Sequence, residues 1–322
     1  MAIKGFGINA DASRLDGDLD LLRRDLRFFE EVGFEYVEIP VHGVDAIRNG
    51  QLVTRRVQEV NQLLKRFPFC YTVHAPNPLN LMNLEELNMH KKMLLSSIQF
   101  AYAIGSETLV YHCGRYVAEE EFLLPNQPRA ITYEMMDTLK QVELEILQEL
   151  ADYAAGLGIN ICIENARPYL DGSPYCYGEF LDQLVEQVKR INKSNVGINL
   201  DLGHAYLASQ FYCFDFVDAI ESVGPLVRHM HVHDNFGKLN SSFEREQPEM
   251  VAAGRGDCHM PIGWGYIPFK KAIAALRNYS GVFMLELRPR YMQYCDEALA
   301  QAKELALQAG WIEYPIEDRI KV

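Results

Sequence analysis

Short runs in which apolar and polar residues alternate are followed by longer amphipathic segments, and this pair of patterns recurs eight times along the chain. Alternation with a period of two is typical of β-strands, whereas an apolar stripe at helical spacing is typical of α-helices packed on a core. The strands are predicted at residues 4–9, 36–40, 69–74, 108–112, 160–164, 196–201, 227–233 and 282–287. The helices are predicted at residues 19–32, 53–67, 84–104, 133–156, 178–191, 214–223, 268–277 and 295–308.

This regular order predicts an α/β protein, and eight parallel β/α units predict a closed (β/α)8 barrel, the TIM-barrel architecture. No linker or change of composition divides the chain, so residues 1–322 are predicted to form a single domain. Residues 311–322 are interpreted as a C-terminal tail that either packs on the barrel or meets a partner. Long loops are predicted after the fourth, fifth and seventh strands, at residues 114–132, 166–177 and 235–265. Because these loops follow strands, they gather at the carboxyl-terminal end of the barrel, where such barrels hold their active sites.

Three of the nine histidines fall at alternate positions of the seventh predicted strand, as His229, His231 and His233. Successive side chains of a strand point to opposite faces, so the three imidazoles share one face. Imidazoles in such a row are typical of metal ligands or of groups that transfer protons. The alternative interpretation is one hydrogen-bonded structural histidine with two solvated neighbours. The residues at the ends of the other strands distinguish the metal-binding or proton-transfer role from this structural one.

The other strands also turn polar side chains inward at their carboxyl ends. Placing the aliphatic residues under the helices leaves inward-facing residues that can bind a metal at His74, His112, Glu164, Asp201, His231 and Glu286. Each alone is compatible with a solvated carboxylate or a hydrogen-bonded histidine. Together, closely spaced carboxylates repel one another unless a cation compensates them. Carboxylate oxygens combined with imidazole suit Mn²⁺, Mg²⁺, Co²⁺ or Zn²⁺, so the pattern predicts a divalent metal without naming it.

Three further residues extend this set. His204 comes three positions after Asp201, in the first turn beyond the strand. Asp257 and His259 lie in the long loop after the histidine-rich strand, and an Asp-x-His spacing places both side chains on the same side of an extended segment. The alternative interpretation of this segment is a glycine-rich surface loop.

The composition of the chain indicates which kinds of binding partner and which cellular location to expect. The chain has 322 residues, a formal net charge of −13 and seven scattered cysteines. The acidic balance disfavours nucleic-acid binding, which depends on neutralising phosphates. The cysteines have no Cys-x-x-Cys spacing and indicate reduced thiols of a cytoplasmic protein. Neither a signal peptide nor a run of membrane-spanning length is evident in the sequence, and a homo-oligomer is compatible with it.

The combined motifs resemble the xylose isomerase-like TIM-barrel superfamily. This superfamily holds sugar isomerases and epimerases, sugar-acid dehydratases and apurinic endonucleases of the endonuclease IV type. The resemblance covers about residues 3–310. The matching segments are Val73-His74-Ala75-Pro76 with Asn80-Leu81, Tyr111-His112-Cys113-Gly114, Ile163-Glu164-Asn165, Asp201-Leu202-Gly203-His204, Met230-His231-Val232-His233-Asp234-Asn235, Asp257-Cys258-His259 with Gly263 and Gly265, and Leu285-Glu286.

The resemblance implies one metal in the sugar epimerases and three zinc ions in the endonucleases. The single metal is held by residues matching Glu164, Asp201, His231 and Glu286, and the two glutamates also move protons. The zinc cluster additionally uses residues matching His74, His112, His204, Asp257 and His259. All nine positions match, so one to three ions are expected. Gly237 and Lys238 stand near the position where the ketose epimerases carry a substrate-holding arginine, which leaves the substrate open.

These considerations lead to the hypothesis of a metal-dependent sugar isomerase or epimerase of carbohydrate metabolism. Glu164 is predicted to remove a proton next to a carbonyl group, giving a metal-stabilised enediolate, and Glu286 to return a proton. Candidate substrate contacts are His204, Lys238 and Trp264, although Trp264 is also suited to anchoring its loop. The alternatives are a dehydratase of a cyclitol or keto-acid and an endonuclease IV-like phosphodiester hydrolase.

Overall fold

A computed structural model describes residues 2–117, 131–242 and 249–313. The strands are β1 (Gly5–Asn9), β2 (Tyr36–Pro40), β3 (Ile47–Arg48), β4 (Gln51–Leu52), β5 (Cys70–His74), β6 (Thr108–His112), β7 (Asn160–Glu164), β8 (Val196–Asp201), β9 (Val227–Val232) and β10 (Val282–Leu285). The helices are α1 (Ala12–Leu15), α2 (Leu19–Val32), α3 (Thr54–Leu64), α4 (Leu87–Ile104), α5 (Tyr133–Gly156), α6 (Leu181–Ile191), α7 (Leu202–Tyr212), α8 (Phe216–Val223), α9 (Glu249–Ala252), α10 (Phe269–Ala275) and α11 (Cys295–Gln308).

Eight of these strands close into a parallel barrel, in the order β1-β2-β5-β6-β7-β8-β9-β10 and back to β1. The predicted α/β class, the eight-stranded TIM barrel and the single domain are therefore confirmed. Helix α2 illustrates how the surrounding layer forms. The Asp18 carboxylate accepts from the backbone N–H of Asp20 and Leu21 at 2.8 and 3.0 Å and caps the helix, while Leu22 and Phe29 pack inward.

Several elements were absent from the sequence prediction: the short helices α1 and α9, the helix α7, and the hairpin of β3 and β4. Helix α7 begins directly after β8, whereas the prediction placed the next helix at residues 214–223. Its sequence is apolar on most sides and shows no amphipathic stripe, because much of the helix is buried. The short hairpin of β3 and β4 turns at Asn49 and Gly50, which both have positive φ, at +49° and +74°. An Asn-Gly pair is the usual signal for such a turn, so this element was open to prediction.

The C-terminal tail packs against the barrel as far as it is described. The Trp311 side chain is buried against Tyr279, with ring centroids 5.4 Å apart, and its backbone carbonyl accepts from the Ile3 N–H at 3.2 Å. Residues 314–322 of the predicted tail lie outside the described residues. All seven cysteines are free thiols. Among the described residues, no helix combines the length and the apolar character needed to cross a membrane.

Candidate metal centre and its cavity

A cavity of about 920 Å³ opens at the carboxyl-terminal end of the barrel strands. The loops after β6, β7 and β10 contribute to its wall, as expected for a (β/α)8 barrel. Its wall includes most of the residues that the sequence singled out, among them His74, His112, Glu164, His204, Asp257, His259 and Glu286.

The four ligands predicted for a single metal meet at the base of this cavity. Glu164, Asp201, His231 and Glu286, here called the inner group, each place one ligand atom within 4.8 Å of the others. Glu164 ends β7, Asp201 ends β8 and His231 lies near the end of β9, whereas Glu286 directly follows β10. The first three side chains are fully buried, and Glu286 is 20% exposed.

The inner group has the geometry that a cation requires. His231 Nδ1 lies 3.2 Å from Glu286 Oε2 and 3.5 Å from Glu164 Oε2. Both carboxylate oxygens are buried and lack a hydrogen-bond partner among the described residues. Buried anionic oxygens without donors are costly, and a shared cation relieves that cost. The inner group therefore fits a divalent metal ion.

Glu38 supports the inner group and was not found from the sequence. Its carboxylate is buried in the barrel, with Oε1 2.9 Å from His231 Nε2 and Oε2 accepting from the Thr72 hydroxyl at 2.9 Å. Burial raises the pKa of Glu38, but His231 and the neighbouring His229 outweigh burial and hold that pKa well below its usual range. The Glu38 carboxylate beside Nε2 favours a proton on that nitrogen, and Nδ1 lies on the side of Glu164 and Glu286, where Asn199 Nδ2 is also 3.1 Å away. Carboxylate–histidine–metal arrangements of this kind are common in metalloenzymes.

His74 and His112 approach Glu164 from the neighbouring strands. Their Nε2 atoms lie 3.4 and 3.5 Å from Glu164 Oε2, and the three residues also have the spacing of a metal site. Burial lowers the pKa of His112 to about 3, so its ring is neutral and offers a lone pair. The structure therefore brings the first two additional ligands of the predicted set to the inner group.

The remaining predicted ligands assemble on the other side of the cavity. His204, His233, Asp257 and His259, here called the outer group, again place one ligand atom each within 4.8 Å of the others. Asp257 Oδ2 lies 2.7 Å from His259 Nε2 and 3.2 Å from His204 Nε2. His259 has a φ of +45°, so the Asp-x-His segment is not simply extended as predicted. A left-handed conformation is uncommon for a residue other than glycine, and here it accompanies the turn of the imidazole toward Asp257.

His233 belongs to the outer group and is not one of the solvated neighbours that the alternative interpretation of the histidine-rich strand allowed. The ring is fully buried, its Nε2 lies 3.1 Å from Asp201 Oδ1, and it stacks on His259 with centroids 3.9 Å apart. Gly203 makes this placement possible, because a Cβ atom there would lie 2.0 Å from His233 Cε1. His233 therefore links Asp201 of the inner group to the outer group.

Opposite charges set the protonation of the two groups. Burial raises the pKa of both Glu164 and Asp257. Histidines around Glu164 outweigh this effect and hold its pKa well below the usual range. Arg167 and the histidines around Asp257 do the same for the pKa of Asp257. Burial lowers the pKa of His204, yet Asp201 and Asp257 reverse that effect and raise it to about 10. The carboxylates are therefore ionised at neutral pH and available to a cation.

Two predicted substrate contacts are not brought to the cavity. Lys238 is exposed, and Trp264 donates from Nε1 to Glu297 at 2.8 Å while packing against Tyr294 with centroids 4.7 Å apart. Neither is part of the cavity wall, and the geometry of Trp264 matches the anchoring alternative. His229 is the hydrogen-bonded structural histidine of the strand, because its Nε2 lies 3.2 Å from Glu38 Oε2 deep in the barrel.

Two curated relatives share sequence with this chain. An uncharacterized protein of Methanocaldococcus jannaschii is 29% identical over 272 residues, which cover 79% of this chain and 80% of that protein. The D-psicose 3-epimerase of Agrobacterium fabrum is 29% identical over 145 residues, or 44% of this chain and 40% of that enzyme.

Solved structures share the fold over nearly the whole length. A D-tagatose 3-epimerase-like protein aligns with a TM-score of 0.68 at 23% identity, covering 94% of this chain and 97% of that one. An IolI protein with a bound zinc atom aligns with a TM-score of 0.65 at 19% identity, covering 95% and 97%. The sequence profile described as xylose isomerase-like TIM barrel matches residues 26–312. The chain belongs to the xylose isomerase-like TIM-barrel family.

Proposed function

We propose that this protein is a metal-dependent isomerase or epimerase of a sugar or another small polyhydroxy carbonyl compound. The observation that carries the proposal is the convergence of Glu164 and Glu286 on His231 Nδ1, at 3.5 and 3.2 Å. These carboxylates come from β7 and from the end of β10, which are separated in the barrel by β8 and β9. They therefore reach a substrate from two directions, as proton removal and proton return require.

The proton transfers are assigned to the two glutamates. Glu164 removes a proton from the carbon next to the carbonyl group, which gives an enediolate. Glu286, which is more exposed to the cavity, returns a proton to the other face of that carbon or to its neighbour. The surrounding histidines keep both carboxylates ionised in the resting site, which suits Glu164 as a general base. Glu286 therefore takes up a proton from water before it returns one to the enediolate, and Glu164 gives the proton that it removed to water.

The inner group would hold the metal, which when bound supplies a Lewis acid for the charge that develops on the substrate oxygens. Mn²⁺, Mg²⁺, Co²⁺ and Zn²⁺ all accept this mixture of carboxylates and one imidazole. Glu38 orients His231 for that role, and His204 stands in the cavity wall where it meets substrate oxygens. A small sugar fits the cavity volume of about 920 Å³.

Relatives support this proposal. One curated relative is named a D-psicose 3-epimerase, one structural neighbour is described as D-tagatose 3-epimerase-like, and another carries a bound zinc atom.

Solvent exchange tests the proposal directly. The purified protein, supplied with Mn²⁺ or Co²⁺, is incubated in D₂O with a panel of ketoses and aldoses, and deuterium incorporation is followed by NMR and mass spectrometry. We expect deuterium at the carbon next to the carbonyl group together with formation of the epimer or isomer. Full exchange by a Glu164→Gln variant would refute the proton-transfer assignment.

A dehydratase uses the same first step, because loss of a β-hydroxyl group can follow proton removal. The D₂O experiment separates the two outcomes, since dehydration lowers the substrate mass by one water whereas epimerisation preserves its elemental composition. Inositol-derived ketones and sugar acids belong in the panel for this reason.

Phosphodiester hydrolysis is a second candidate, favoured by the assembly of His74 and His112 beside Glu164 and of Asp257 and His259 in the outer group. The net charge of −13 opposes it. Incubation with a duplex containing an abasic site at low salt tests it, and an uncut duplex with no detectable binding would eliminate it.

A further inference from the structure

Arg167 is a charged residue of the cavity to which the proposed reaction assigns no role. It lies in the loop after β7, and its side chain is only 15% exposed. The guanidinium carbon lies 5.2 Å from the centre of the Tyr169 ring, and the backbone carbonyl of Arg167 accepts from the Tyr175 hydroxyl at 2.9 Å. These contacts hold the arginine side chain in one direction, toward the outer group.

The guanidinium ends among the ligand atoms of the outer group. Arg167 Nη1 donates to Asp257 Oδ2 at 2.6 Å and lies 3.4 Å from His204 Nε2. The same Asp257 oxygen is also 2.7 Å from His259 Nε2. One nitrogen of Arg167 is therefore next to the lone pairs through which these three residues would hold a metal ion.

A metal ion and this guanidinium cannot occupy the position together. Zinc binds carboxylate oxygen and imidazole nitrogen at about 2.0–2.2 Å, so an ion shared by Asp257 and His204 would overlap the space that Nη1 fills. Two cations at such a separation also repel each other in a buried site. The inner group has no comparable competitor, because among the described residues no arginine or lysine forms an ion pair with its carboxylates, whose ion-pair partners are histidines.

We propose that Arg167 is the resident cation of the outer group and that it competes with a divalent ion for Asp257. The inference rests on the metal-binding part of the proposed function. The inner group then holds the ion of the proposed reaction, whereas the Asp257 carboxylate of the outer group is neutralised by a positive charge that cannot be lost, because arginine stays protonated at any physiological pH. The protein is therefore expected to bind fewer than three metal ions, although all nine ligand positions of the zinc cluster are matched.

Metal stoichiometry tests the competition without reference to turnover. Metal-depleted wild-type protein and an Arg167→Met variant are titrated with Co²⁺ in parallel, with the visible absorption recorded and the bound metal counted by elemental analysis after gel filtration. We expect the variant to bind one more equivalent of Co²⁺ than the wild type. Equal stoichiometry in the two proteins would overturn the proposal.

Arg288→Met is the matched control. Arg288 lines the same cavity and donates from Nη2 to the backbone carbonyl of Asp257 at 2.9 Å. We expect this variant to bind the wild-type number of ions, and an equal gain in both variants would show a general charge effect and contradict the proposal.

The wild-type protein provides an independent measurement should Arg167→Met not fold. Anomalous scattering at the cobalt edge, from crystals grown with Co²⁺, locates each bound ion. A cobalt peak bonded to Asp257 and His204 in the wild type would disprove the competition. A cobalt peak in the inner group, with no peak in the outer group, supports it. A wild-type protein that binds Co²⁺ normally but turns over no sugar contradicts the proposed function and leaves this inference standing.

Discussion

The inner and outer groups contain similar ligand types but are built in different ways. The inner ligands lie on or immediately after barrel strands, where hydrogen-bonded neighbours fix their spacing. The outer ligands come from the first turn of α7, the end of β9 and a long loop, and they depend on a left-handed histidine and on a glycine that makes room for an imidazole. The inner ligands are thus spaced by the sheet itself, whereas in the outer group a protein cation, Arg167, contacts the Asp257 carboxylate.

The largest contrast is expected in catalysis. Glu164→Gln should lower turnover by roughly 10²–10⁴-fold, because it removes the group that takes the proton. His259→Gln, in the outer group, should lower turnover far less. Product formation measured by NMR, with metal content determined on each sample, checks both. A loss from His259→Gln as large as that from Glu164→Gln would erase the distinction between the two groups.

Metal affinity should show the next largest effect. Glu38→Gln should weaken metal binding to the inner group by roughly 10–100-fold, as is usual when the partner of a metal-binding histidine is altered. Competition with a chromophoric chelator measures the change. His229→Gln is the control, because His229 contacts the other oxygen of Glu38 and should affect affinity less. An unchanged affinity in Glu38→Gln would show that His231 does not depend on Glu38 for its orientation.

Packing between the two groups is expected to have an intermediate effect on stability. Gly203→Ala should lower the free energy of unfolding by about 1–3 kcal/mol, because the new methyl group meets the buried His233 ring. Gly156→Ala is the control, since no atom lies within 4 Å of its added Cβ and alanine favours a helix. Chemical denaturation of both variants gives the comparison. An equal free energy of unfolding in Gly203→Ala and the wild type would mean that the His233 ring moves away from the new methyl group without loss of stability.

The smallest effect is expected outside both groups. Lys238→Ala should change the free energy of unfolding by less than about 0.5 kcal/mol, because the side chain is exposed and does not line the cavity. Its kcat/KM should match the wild type. A several-fold rise in KM would instead support the substrate contact predicted from the sequence.

The difference between the groups also explains what the sequence revealed. Alternation along a strand reports which side chains face inward, so Glu164 and Asp201 were identified with their partners. The same rule applied to Val37 and Ile39 turns Glu38 inward, and it was overlooked because a lone glutamate in a short strand carries no motif. Arg167 gave no signal at all, since loop residues follow no period and only the three-dimensional structure places its side chain beside Asp257.

The loop that carries Asp257 and His259 has a closed base. The Gly256 N–H donates to the Lys238 carbonyl at 2.7 Å, and Arg255 Nε donates to the Leu239 carbonyl at 3.3 Å. The backbone is therefore joined to itself directly before Asp257, which fixes the point from which the ligand segment starts. Each doubling of such a loop costs only about 0.6 kcal/mol of closure entropy. A change in length between the two joined residues is therefore expected to cost little stability and to leave Asp257 and His259 in place.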